Sequence, residues 1–210
     1  MRRTLALAVV AATGCAPALR PVPATAPTLP AEVRIARAKE LARAADHAPE
    51  PAQRERLAVE AVETAQPCGT RPDCAYWLAV AIGLQAREKP TTAADGIPRM
   101  LALLAKAEAG EPALERGGPA RVAALVLLRA PGWPLGPGDP EAGLESARRA
   151  IAIDPEYPPN RLALAEALMK TGDRGGGEEE ARAAAEAARG WDDPDAADWA
   201  RDAERLLSSR

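Results

Sequence analysis

The sequence predicts an all-α chain: an antiparallel array of helix hairpins forming an α-α superhelix, about nine helices behind an N-terminal tether. Three observations carry this. The vocabulary is Ala, Leu, Arg and Glu, all strong helix formers. Phe is absent and aromatics make up only 3% of 210 residues, too few for a β-sandwich or barrel. Clusters of Pro, Gly and Asp interrupt the chain about every 15 to 20 residues, and the stretches between them have helical spacing.

The organisation predicted along the chain is a signal at 1–14, a tether at 15–30 and a helical domain at 31–210. Arg2 and Arg3 precede a short apolar run at 5–12 that ends in Ala12, Thr13, Gly14 and Cys15. The run falls far short of the roughly 20 residues that span a bilayer as a helix, so it reads as a cleaved export signal. Its small-small-Cys ending resembles the bacterial lipobox, with Ala12 where Leu is usual; an ordinary secretory signal is the alternative. A lipidated Cys15 would become the first residue of the mature chain, and a diacylated cysteine meets the condition for stable anchoring. By analogy with other bacterial lipoproteins, Ala16 favours the outer membrane over the inner one, with the domain facing the periplasm. Residues 16–30 contain five prolines. At about 3.1 Å per residue, such a segment spaces the domain up to roughly 45 Å from the lipid.

The helices are expected at 31–47, 50–66, 72–88, 93–109, 119–130, 140–153, 159–171, 176–189 and 194–208. Pro51, Pro72, Pro119 and Pro140 stand where a first turn tolerates a missing N–H. Asp139 and Asp193 are placed to cap free amides. Ile97, Met100, Leu101 and Leu104 form an apolar stripe along the fourth helix. The fifth, apolar on all sides over 122–128, is expected to be the most enclosed. In the ninth, Trp199, Leu206 and Leu207 supply the inner side beneath a charged outer face, as on the terminal cap of a solenoid.

Residues 150–155 (AIAIDP) resemble the end of a tetratricopeptide repeat (TPR). Counting on from Pro155 places Leu164, Ala165 and Leu168 at contact positions and Gly172 in the inter-helix turn. Ala184 falls 34 residues after Ala150, the TPR period. Small residues at such positions allow close helix approach, and large ones fill the neighbouring groove. The repeat decays upstream, where 131–140 replaces a tight turn, so the array is TPR-like and divergent.

Net charge is −3, and losing Arg2 and Arg3 would make the mature chain more acidic. That argues against nucleic acid, which needs a basic face. His47 is the one histidine and has no companion cysteine, so it reads as a surface or capping residue. No nucleophile elbow or phosphate loop is present. No metal or cofactor is therefore expected, and enzyme is the weakest of the functional classes. Cys68 and Cys74 form an even pair in an oxidising compartment and read as a structural disulfide. Closing so short a loop would stabilise by roughly 2 kcal/mol in the entropic model. Free thiols, or a redox or metal role, are the alternatives.

Four stretches then carry a family resemblance: 74–80 (CAYWLAV), 117–122 (GGPARV), 129–134 (RAPGWP) and 157–160 (YPPN). In order and spacing, over most of 68–190, they resemble the TatT family. This is the TPR-containing lipoprotein T component of tripartite ATP-independent periplasmic (TRAP) transporters. Ala123 and Ala124 depart from the Leu-Gly that members often carry. The resemblance implies an exported helical lipoprotein that binds a periplasmic solute-binding protein, and it leaves open a ligand, apolar or otherwise, delivered between them. The candidate groove residues are Tyr76, Trp77, Arg121, Trp133 and Asn160, with packing as the alternative role for each. Of Tyr76 and Trp77, about 100° apart on their helix, one is expected in the core and the other at a groove or solvent. Trp133 is expected to plug a hairpin end. Arg121 would need a carboxylate or carbonyls if buried, and Asn160 is expected to cap or tie its loop. The alternative function is a general TPR scaffold lipoprotein for an envelope assembly or secretion complex. A homo-oligomer is left open.

Overall fold

The computed structural model describes residues 29–68 and 70–209. The signal, Cys15 and all but the end of the tether lie outside them. The described chain forms nine α-helices: α1 (Ala31–His47), α2 (Pro51–Ala65), α3 (Pro72–Glu88), α4 (Ala93–Gly110), α5 (Gly118–Arg129), α6 (Pro140–Ile153), α7 (Pro158–Lys170), α8 (Arg174–Arg189) and α9 (Ala196–Ser208). Short 3₁₀ turns follow α2 and precede α4. There is no sheet among the described residues, and an isolated bridge joins Gly132 to Gly138.

Local chemistry sets these boundaries. Pro51, Pro72, Pro140 and Pro158 each open a helix, and Pro119 is second in α5. The Asp139 carboxylate accepts from the Ala142 amide at 3.1 Å and caps α6. Asp173 accepts from the Gly176 amide at 2.9 Å and caps α8. The expected start of the ninth helix needs correction. Asp193 accepts from the Asp195 amide instead, and this turn delays α9 to Ala196.

Consecutive helices pack as hairpins, α1 with α2, α3 with α4, α5 with α6 and α7 with α8, with α9 against α8. The odd-numbered helices also stack on one another, α1 on α3, α3 on α5, α5 on α7 and α7 on α9. They make the inner layer of the array. Ala150 and Ala184, the pair at the repeat period, are both fully buried, as close approach of helices requires. Gly172 has φ +98 in the turn between α7 and α8, a left-handed conformation that glycine adopts without strain. On α9, Ala203 is buried, and Trp199, Leu206 and Leu207 are half-buried beside it.

The expectation about burial holds. No residue of α5 from Gly118 to Leu128 is exposed, and six of its 12 residues are buried; α3 comes next, with eight of 17. It is sandwiched between its hairpin partner α4 and the helices α1 and α2 of the preceding hairpin. Within α3, Cys74 is buried and disulfide-bonded; the Cys68 side chain lies outside what the structure describes.

The buried alanines give a direct test of the packing. Ala150→Leu and Ala184→Leu should each destabilise the chain by about 1–3 kcal/mol through overpacking, whereas Leu at the exposed Ala152 should be close to neutral. Urea unfolding of the three variants measures the difference.

Candidate ligand groove

The inner layer lines a half-open cavity of about 620 Å³, within the range of small-molecule sites. Its lining comes from α1, α3, α5, α7 and α9 and from Glu115, Tyr157 and Asp195 in the turns that lead into three of them. Val80, Leu84, Val122, Leu125, Leu162 and Leu206 are among its apolar side chains. The two ends of the array meet at its rim. His47 Nε2, at the end of α1, lies 3.1 Å from the Asp195 carboxylate at the start of α9, and Nδ1 lies 3.9 Å from Asp198. The backbones of α1 and α9 do not pack together, so this is a side-chain clasp. The ligand atoms of these three residues lie within 4.8 Å of one another, but Asp198 also pairs with Arg201 and the imidazole is half exposed.

The buried wall of the cavity is built on an unusual turn. Glu115, Arg116 and Gly117 have φ of 46, 58 and 84, three consecutive residues in the left-handed region. For the two L-residues with side chains that conformation costs roughly 1–2 kcal/mol each, so other contacts must hold it. Arg121 supplies them from the first turn of α5. Its Nη1 donates to the carbonyls of Glu115 and Arg116 at 3.2 and 3.4 Å, and to Asn160 Oδ1 at 2.8 Å.

Asn160, fully buried on α7, completes the arrangement. Its Nδ2 donates to the carbonyls of Arg116, Ala150 and Asp154 at 2.9, 3.0 and 3.0 Å. Three carbonyl neighbours on one side and a guanidinium on the other fix which end of the amide is which. One side chain thereby ties together the turn before α5, the end of α6 and the start of α7. The Tyr157 ring lies under the Arg121 guanidinium, 5.1 Å from centroid to Cζ.

Tyr76 and Trp77 border the same cavity, and both are buried. Both belong to the core and both line the groove, so they are not divided one to the core and one to a groove or solvent, because α1 and α5 both pack against α3. Their rings meet edge to face at 5.1 Å, and the Lys39 ammonium lies 5.3 Å from the Trp77 ring centroid. The Tyr76 hydroxyl reaches the second glycine of the 117–118 pair: a Cβ on Gly118 would lie 2.8 Å from it. The two glycines thus have separate reasons, a left-handed φ at Gly117 and room for a phenol at Gly118. Burial pushes the Tyr76 phenol above the usual tyrosine range, with the positive charge of Arg121 acting the other way. Burial raises Tyr157 similarly.

Four of the five sequence-predicted groove residues therefore converge. Tyr76, Trp77 and Arg121 line the cavity, and Asn160 holds Arg121 from behind. Trp133 does not join them. It is 90% exposed, and Leu135 beside it 87%, so it does not plug a hairpin end. The loop folds inward through its glycines: a Cβ on Gly138 would lie 2.2 Å from the Ala130 carbonyl oxygen. Trp133 is left pointing outward. Sequence reasoning missed Tyr157 as part of the wall, although it begins the same four-residue stretch as Asn160. It also missed the clasp of His47 to Asp195. No protein-family model and no curated protein sequence matches the chain.

Gly118→Ala should destabilise the protein by about 1–3 kcal/mol through the clash with Tyr76. Adding Tyr76→Phe should recover part of that loss, as measured by denaturant unfolding. A second expectation concerns pH. A raised phenol pKa means the folded state holds the proton more tightly than the unfolded one. Its contribution is intact below about pH 10 and is lost as pH rises past that value. Between about pH 8 and pH 11 the wild type should lose more stability than Tyr76→Phe, which denaturant unfolding at the two pH values would show.

Proposed function

We propose that this chain is a lipid-anchored accessory protein of the bacterial cell envelope, working in a TRAP-type transport system. It binds a periplasmic solute-binding protein and takes a small ligand into its groove. Cys15 carries the lipid, the proline-rich segment spaces the domain from the membrane, and the role is binding, without catalysis. The observation that supports this reading best is a convergence. Stretches at 74–80, 117–122 and 157–160, which carry the TatT resemblance, come together as Tyr76, Arg121, Tyr157 and Asn160 in one cavity wall. A merely structural repeat would have no need to place them around a cavity.

Trp133 and Leu135 extend the reading. They are the most exposed large apolar side chains described, and they sit on a loop held by backbone hydrogen bonds between Gly138 and Pro131 and between Asp139 and Leu127. In this proposal they form the contact with the solute-binding partner. The same pair would serve a general envelope scaffold, which is the second reading.

Cross-linking the protein in its own envelope and identifying what co-purifies tests the role. Recovery of a periplasmic solute-binding protein together with TRAP membrane subunits is expected, and Trp133→Ala should reduce it several-fold. Recovery of other envelope machinery in their place would assign the chain to scaffolding. Cys15→Ala should abolish membrane fractionation without unfolding the domain; a variant that stays with the membrane would contradict the lipid anchor.

A further inference from the structure

Helix α9 forms one side of the cavity and is the least embedded helix of the array. Ala203 is its one buried residue, whereas every other helix buries three or more. Its backbone packs on α8 and α7 and on no other helix. Its charges are directed largely at one another, Asp198 pairing with Arg201 and Asp202 with Arg205. Yet Trp199, Asp202, Arg205 and Leu206 line the cavity, so displacing α9 would change the width of the mouth.

The chain that leads into α9 is pinned and then released. Trp191 lies against the Tyr157 ring at 5.5 Å and 5.3 Å from the Arg116 guanidinium, and Arg116 in turn pairs with Asp154. Beyond it, Asp193 bonds only forward, to the amides of Asp195 and Ala196, so that turn moves with α9. Asp192, between the pinned tryptophan and the turn, is exposed and makes no hydrogen bond among the described residues. It can rotate without breaking a bond to another helix.

Across the mouth the attachment is slight. A carboxylate only accepts, so His47 Nε2 carries a proton and donates to Asp195 at 3.1 Å. Apart from the approach of Nδ1 to Asp198, no other hydrogen bond or ion pair joins α1 to α9 among the described residues. The imidazole is half exposed, so breaking this contact leaves no buried polar group unsatisfied. The far end of α9 is tied to α8 by another exposed bond, from Arg174 to the Ser209 carbonyl.

We propose that α9 is a movable flap on the cavity, turning at Asp192, and that the His47–Asp195 contact is the latch that holds it shut. Ligand enters and leaves through the gap that opens between α1 and α9. This inference rests on the reading of the groove as a ligand site and adds how that site is reached.

The test is double electron–electron resonance on the full-length protein without ligand. Spin labels replace the exposed Ala44 on α1 and Ala197 on α9, carried on keto amino acids so that the native cysteines stay untouched. A control pair joins Ala44 to the exposed Glu186 on α8. His47→Ala and Asp195→Ala should each raise the long-distance population between Ala44 and Ala197 roughly two- to tenfold, the range expected for losing one exposed hydrogen bond. The double variant should add little more, and the control distance should not move. Circular dichroism checks each fold; if one variant does not fold, the other decides. An unchanged Ala44–Ala197 distribution in a folded variant would overturn the latch. Lengthening of the control distance in step with it would mean that the whole array opens, and would overturn the flap. Both distances are read without ligand, so either failure leaves the groove reading standing, and a groove that binds nothing would leave these distances unaltered.

Discussion

The hydrogen bond from Arg121 to Asn160 is the joint on which the second half of the array depends. It spans 39 residues of sequence and lies beneath the cavity wall. On one side it steadies three left-handed residues that turn the chain from α4 into α5. On the other it fixes the end of α6 against the start of α7 through the three carbonyls that Asn160 serves. Both partners are almost wholly buried, so either one alone would leave polar groups without bonds, a penalty larger than the net value of an ordinary hydrogen bond. The fold and the groove share this contact, because the side chain that braces the turn is also the cation facing the cavity.

The groove follows from the hairpin array. Small residues such as Ala150 and Ala184 bring helices close, and stacking the odd-numbered helices turns their inner faces toward a common space. In an open superhelix that space would be a trough. Here the clasp of His47 to Asp195 bridges the ends, so the trough becomes a half-open cavity. The clasp is polar, partly solvated and unsupported by backbone packing between α1 and α9, which places the most easily opened contact of the ring at its rim.

Much of the fold was legible because its boundaries are chemical. Prolines at first turns and Asp139 before Pro140 mark helix starts that need no tertiary information. The reading failed at α9, where Asp193 caps an extra turn, since Asp193 and Asp195, on either side of Pro194, offer two starts of equal local merit. Within the site, Arg121 announced itself as a cation in an apolar helix, and the need for carbonyls was predictable. That Asn160 would be among its partners was not, because nothing local to either residue sets a distance of 39 positions. The same holds for His47, whose partner lies 148 positions away. Trp133 misled for a related reason. Apolar character predicts burial on average, but the close backbone approach at Gly136 and Gly138 turns this loop inward and leaves its tryptophan outside.

The central claim is that Arg121 and Asn160 act as one unit, and a double-mutant cycle in denaturant unfolding tests it most directly. Asn160→Ala and Arg121→Gln are measured singly and together. The account predicts a coupling energy of about 1–3 kcal/mol between them, so that the second substitution costs much less once the first is made. Strict additivity, with each loss independent of the other, would contradict it.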